Sequence, residues 1–191
     1  MKKLILVTSP PACGKTFVTR KLAKAMPNCV YLDKDTLITL SKQIFVVAGE
    51  EYNRSSDFFE AEIRNPEYDC VMALAMEALE YNDTVFINAP YTREVRTPGY
   101  MENLRQELLQ KKGAELVVVW VLCDKEVCRQ RMIRRNSDRD TWKLENWDEY
   151  ISKQNFSVPE GIKNLFLFDN STDDSFKKSI EEAKEYLNNL K

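Results

Sequence analysis

Residues 4–25 read LILVTSPPACGKTFVTRKLAKA. The apolar run Leu4–Val7 passes through Thr8 into a loop holding Pro10, Pro11 and Gly14, and apolar residues then return at helical spacing from Lys15 to Ala25. A short β-branched run bounded by turn residues predicts a buried strand, and the three-to-four spacing after it predicts a helix. The same alternation continues outward. Further strands are predicted at Cys29–Leu32, Thr84–Asn88, Leu116–Leu122 and Leu165–Phe168. Helical spacing fills Lys15–Ala25, a long region Thr36–Tyr81, then Tyr100–Gln110, Lys125–Arg135 and Ser175–Leu190. Alternating strands and helices joined by right-handed crossovers give an α/β fold, a five-stranded parallel sheet covered on both faces in three α/β/α layers. Ligands of such a sheet bind beyond the carboxyl ends of its strands.

Strand one runs directly into SPPACGKT, and a helix begins near Lys15. This strand-loop-helix setting is what a phosphate-binding P-loop requires. Backbone N–H groups of Ala12, Cys13, Gly14, Lys15, Thr16 and Phe17 can converge on phosphate oxygens, helped by the positive end of the helix dipole. Lys15 would reach the β- and γ-phosphates of ATP, and the Thr16 hydroxyl would bind Mg2+. The full pattern GxxxxGK(S/T) has glycine where this chain has Ser9, so GKT alone survives intact. Pro10 and Pro11 lack N–H groups, but they precede the amides that would hold the phosphates and would stiffen the loop.

With 191 residues and no Gly/Ser linker or internal repeat, the chain reads as a single domain over residues 1–191. Segment 36–82 is too long for an ordinary crossover and reads as a helical insertion on the substrate side; residues 129–154 read as a lid. The 28 Lys and Arg against 30 Asp and Glu leave a net charge of -2, so no global positive field draws the protein to nucleic acid. No stretch is apolar enough to span a membrane, and Leu4–Val7 is too short for a signal-peptide core, which points to the cytoplasm. Histidine is absent, which excludes Ser-His-Asp triads, Cys-His nucleophiles and histidine bases. The five cysteines lack paired CxxC spacing, and most are expected to be buried reduced thiols.

The stretches MKKLILVTSPPACGKT, YLDKD and RRNSDRD resemble the P-loop kinase superfamily, in particular the kinase domain of phage polynucleotide kinase. Zeta toxins, gluconate kinase and chloramphenicol phosphotransferase belong to the same group. The resemblance covers most of residues 1–170 and implies a P-loop NTPase fold with ATP and Mg2+ as cofactors. It makes Asp35, after strand two, the acid that accepts or orients the proton of the acceptor hydroxyl, with Asp33 as the alternative and a candidate for the acceptor side. One of the two aspartates would otherwise cap the helix that follows. The resemblance assigns Arg135 and Arg139 to the ATP phosphates or adenine, with Arg139 catalytic beside Lys15. Arg131 and Arg134 are further members of the same arginine cluster, whose alternative reading is a solvated basic helix with its arginines paired to acids such as Glu126, Asp138 and Asp140.

Acceptor contacts are expected from Arg54, Arg64 and Tyr68 in the insertion and from Arg93, with Arg96, after strand three. Arg93 and Arg96 also fit solvated ion pairs. Asn88 stands at the end of strand three, where such kinases often carry an aspartate, and Asn170, after strand five, falls where they pass the adenine. A simple Asx turn explains Asp169 and Asn170 equally well. Within the insertion, RNPEYDCVMALAMEAL reads as a helix with Pro66 near its first turn and Leu74, Met76 and Leu79 in the core.

These features predict transfer of the γ-phosphate of ATP to a hydroxyl of a small-molecule acceptor. The partners are then a nucleotide and that acceptor, with nucleic acid disfavoured by the charge balance and a monomer or homodimer as the assembly. A polynucleotide 5′-hydroxyl kinase is one alternative. Another is an ATPase or regulatory nucleotide-binding module without an acceptor, for which Ser9 and Asn88 speak. The guanine-reading NKxD motif is absent.

Overall fold

The computed structural model describes residues 1–136 and 140–190. Among them, strands β1 (Lys2–Thr8), β2 (Cys29–Asp33), β3 (Thr84–Asn88), β4 (Ala114–Leu122) and β5 (Leu165–Asp169) form one sheet in the order β2-β3-β1-β4-β5. Every neighbouring pair is parallel, with Leu4 opposite Val85 on one side and Leu116 on the other. β1 and β4 are buried along nearly their whole length because both of their faces are covered.

The period of two sends alternate strand residues to opposite cores. On one face Leu4, Leu6, Val85, Ile87, Val118 and Trp120 meet α3 (Arg64–Tyr81) and α4 (Tyr100–Lys112). On the other, Ile5, Val7, Phe86, Val117, Val119 and Val121 meet α1 (Lys15–Ala25), α5 (Lys125–Arg135) and α8 (Asp173–Asn189). The three-layer α/β/α arrangement is therefore present, with the loop before α1 leaving the central strand. No helix among the described residues is long and apolar enough to cross a membrane.

Local sequence sets the element ends. Met26 is extended before Pro27, as a residue preceding proline should be, and α1 stops there. α8 opens with a reciprocal capping box between Thr172 and Ser175, and its Ser179, Ala183 and Leu187 face the core one turn apart. The insertion between β2 and β3 contains a 3-10 turn at Lys34–Leu37, α2 (Ile38–Ala48), a π turn at Phe59–Ile63 and α3.

α3 corrects one expectation. Its buried stripe is Glu67, Tyr68, Val71, Ala75 and Leu79, so Leu79 is core as expected while Leu74 is 43% exposed and Met76 only borders the core. The buried stripe is fixed by Tyr68 and Val71, one position off the apolar pattern of the sequence. The cysteines correct another. Cys13 and Cys128 are buried, Cys29 and Cys123 are half-buried and Cys70 is exposed.

Between α5 and β5 come α6 (Thr141–Glu145) and α7 (Trp147–Ser152). Arg139, expected to be catalytic, lies outside the described residues.

Candidate functional site

The loop between β1 and α1 borders a cavity of about 630 Å³ at the carboxyl edge of the sheet. Its backbone is built for close approach. Ala12 and Gly14 both take positive φ, 63° and 86°, a conformation that costs an L-residue such as alanine about 1–2 kcal/mol and that recurs at ligand-binding loops. A side chain at Gly14 would in addition run into the Asn170 amide. α1 has neither a side-chain cap nor an acidic residue in its first turn. The amides opening that helix therefore lack the usual side-chain acceptor, the condition under which a helix start takes an anion.

Lys15 donates to Asn88 Oδ1 at 2.7 Å. Burial lowers its ammonium to about 8, against the upward pull of the nearby Asp35 and Asp33 charges. Asn88 itself is buried and ties the site together. Its Oδ1 also accepts from Thr19 at 3.4 Å, and its Nδ2 donates to the Thr16 hydroxyl at 3.1 Å and to Tyr31 at 3.4 Å. An aspartate there could accept from Lys15 but could not donate to Thr16.

The loop is braced from beneath. The Cys13 carbonyl accepts from Asn170 Nδ2 at 2.8 Å and from Arg131 Nη1 at 3.2 Å. Arg131 also donates to the Asn170 carbonyl at 2.7 Å. Asn170, expected beside the adenine, thus commits its amide to the loop because β5 brings it directly under Cys13, while Asp169 accepts from the Ser171 amide in an Asx turn. The Cys13 and Cys128 sulfurs pack 3.7 Å apart below the loop.

Asp33 and Asp35 separate into two roles. Asp33 caps the 3-10 turn by accepting from the Asp35 amide at 3.1 Å and from the Tyr31 hydroxyl at 2.7 Å. Its two oxygens are taken, and it does not reach the cavity wall. Asp35 does, as the one carboxylate among the described residues lining it. Around it stand Lys15, Arg93, Arg96, Arg135, Lys143 and Lys153.

Among these cations, Arg135 donates from Nε at 2.8 Å to Asp140, which is fully buried and also holds Lys143 at 3.3 Å. Arg96 reaches the Ser157 carbonyl at 2.7 Å and lies over Trp120. Arg93 pairs with Glu60 at 2.9 Å on the surface. Arg134 is exposed, and Phe17, half-exposed on the cavity wall, packs against Phe176.

In the insertion, Arg54 and Arg64, expected to contact an acceptor, are each paired with a carboxylate. Arg54 grips Glu67 with two hydrogen bonds of 2.7 Å, and Arg64 pairs with Glu94 at 2.6 Å. Glu67 also accepts from Lys34 at 2.8 Å and from Ser41. Burial alone would raise the Glu67 carboxyl, but the hydrogen bonds from Arg54, Lys34 and Ser41 outweigh it and hold the group at about 2. Lys34, Glu67 and Lys143 escaped the sequence reading, whereas Asp140 was named there as a partner for the arginine cluster and does pair with Arg135. A carboxylate on the core-facing stripe of α3 was the available signal for Glu67, since a charge is buried only with partners.

Among the described residues no group of three or more His, Cys, Asp or Glu is placed to hold a metal ion. The Thr16 hydroxyl at the cavity wall is the protein oxygen that fits a magnesium ion brought in with phosphates.

A family described as an AAA domain matches residues 4–156. The chain belongs to this AAA-domain family. The AAA-domain chain is similar over nearly all of its length to solved structures, among them two kinases. A sugar kinase from Janibacter sp. HTCC2649 is 14% identical, with 98% of this chain and 95% of that one covered and a TM-score of 0.62. A gluconokinase from Sinorhizobium meliloti 1021 is 15% identical over 98% and 91%, with a TM-score of 0.57. Kti12 from Chaetomium thermophilum, solved with ADP-AlF3, is 17% identical over 96% and 98%, with a TM-score of 0.56. At such identities the likeness is one of fold. A search of curated proteins returns no match.

Proposed function

We propose that this AAA-domain protein is an ATP-dependent kinase that transfers the γ-phosphate to a hydroxyl of a small-molecule acceptor. The observation that carries the reading is the cavity itself. Among the described residues, an uncapped helix start and Lys15 face six further cations, Arg131 among them, with Asp35 as the single carboxylate on the wall. Phosphoryl transfer needs this distribution, because charge on the transferred group is stabilised by fixed donors while one acid handles the acceptor.

In this reading the loop amides and Lys15 hold the ATP phosphates, and Arg135 and Lys143, steadied by Asp140, flank them. Arg139 would join them from the lid. Mg2+, held through Thr16, would supply charge neutralisation of the phosphates. Asp35 orients the acceptor hydroxyl and takes its proton. Residues 1–191 act as one cytoplasmic catalytic domain, with segment 36–82 covering the acceptor and 129–154 closing over the nucleotide. The sequence stretches shared with phage polynucleotide kinase are then a likeness of nucleotide handling. A small acceptor suits the net charge of -2 better than a nucleic-acid end does.

Replacing Asp35 with asparagine tests the assignment. Turnover should fall by about 10²–10⁴-fold, while Mg·ATP, measured by calorimetry, should still bind, because a carboxylate donates no hydrogen bond to the phosphates. Unchanged turnover would remove Asp35 from the mechanism.

A further inference from the structure

A second cavity, of about 290 Å³, adjoins the first and shares Pro90, Thr92 and Arg93 with it. Four cations line it: Lys34, Arg54, Arg64 and Arg93. Each is paired with a carboxylate, but Glu60, Glu67 and Glu94 are not part of the lining. The acids therefore hold the cations in place, and the chamber meets the positive groups.

Those groups are fixed before any ligand arrives. The Arg54 guanidinium lies over the Phe59 ring and that of Arg64 over the Tyr68 ring, both at 4.5 Å. Stacking of this kind holds the guanidinium planes in place, so the N–H groups not directed at Glu67 and Glu94 can meet a ligand at little further entropic cost. Lys34 is only 4% exposed in its side chain and stands 3.4 Å from Asp35. It links the chamber to the acid at the acceptor side of the large cavity.

We propose that this chamber binds the anionic group, phosphate or carboxylate, of a small alcohol and so presents the alcohol's hydroxyl to Asp35. The inference rests on the kinase reading above. The volume sits at the lower end of small-molecule sites, which suits a short phosphorylated or carboxylated alcohol. In the step itself the acceptor oxygen forms the new bond to the γ-phosphorus. The bond from that phosphorus to the β,γ-bridging oxygen breaks, its electron pair leaves on ADP, and the hydroxyl proton passes to the Asp35 carboxylate.

The test is calorimetry on the full chain with the phosphate loop saturated by a non-hydrolysable ATP analogue and magnesium. Inorganic phosphate, glycerol 3-phosphate, glycerate and glycerol serve as probes. At least one anion should bind about tenfold or more tightly than glycerol, and the phosphate and carboxylate probes tell which group is preferred. Arg64→Gln and the surface variant Arg93→Gln should each weaken that anion by about tenfold, with melting curves confirming that both are folded. Anions that bind no better than glycerol, or affinities untouched in both variants, would overturn the proposal while leaving the kinase reading in place. If the analogue itself does not bind, the kinase reading falls and this proposal falls with it.

Discussion

Lys15 donates to Asn88 Oδ1 across 2.7 Å, while the Nδ2 of the same amide donates to the Thr16 hydroxyl at 3.1 Å. The two side chains of the phosphate loop expected to meet ATP and its metal are thus joined through one asparagine at the end of β3. Because Lys15 can only donate, it fixes which end of the amide faces it.

A pH dependence follows from this pair. Burial leaves Lys15 with a pKa of about 8, and phosphates bind the ammonium and not the amine. The Kd for Mg·ATP should be flat just below about pH 8 and rise about tenfold per pH unit above it, with one proton taken up on binding. Asn88→Asp places a carboxylate beside the ammonium, raises its pKa and should move the break to higher pH. A break that does not move would detach Lys15 from the dependence.

Removing the brace under the loop should be costly. Asn170→Ala deletes the 2.8 Å hydrogen bond to the Cys13 carbonyl and should lower stability by about 1–3 kcal/mol. Mg·ATP should bind more weakly as the loop loosens. Arg131 donates to the same carbonyl, so the double variant with Arg131→Ala should depart from additivity by about 0.5–3 kcal/mol. Denaturant melts of the four proteins read this directly.

Glu67 is the hinge of the insertion. Glu67→Ala strands the buried Lys34 ammonium and should cost about 3–5 kcal/mol. Its folded carboxyl titrates near 2 against an ordinary value of 4.5. The stabilisation is therefore complete above about pH 4.5 and is lost as pH falls toward 2. Glu67→Gln, already less stable at neutral pH, should show a flatter fall in Tm across that window.

The strands and the strand-loop-helix order at Lys2–Ala25 were legible because each rests on a local pattern. β3 and α5 appear where the sequence predicts them, and the other strands differ by a residue or two at their ends. What the sequence hid is what depends on distant partners. Nothing near Asn170 points to Cys13, 157 positions away, and the Asx-turn chemistry of its neighbour masked the contact. Asp33 and Asp35 carry the same local signals, and only the turn geometry, with Asp33 accepting the Asp35 amide, sends one to a cap and the other to the cavity. The ion pairs of Arg54 and Arg64 were hidden because their partners Glu67 and Glu94 lie 13 and 30 residues on.

Fate of the γ-phosphate tests the central claim most directly. With ATP labelled at that position, Mg2+ and a panel of short phosphorylated and carboxylated alcohols, label should appear on an alcohol in an amount equal to the ADP formed. Recovery of the label solely as inorganic phosphate, at a rate no alcohol changes, would contradict it.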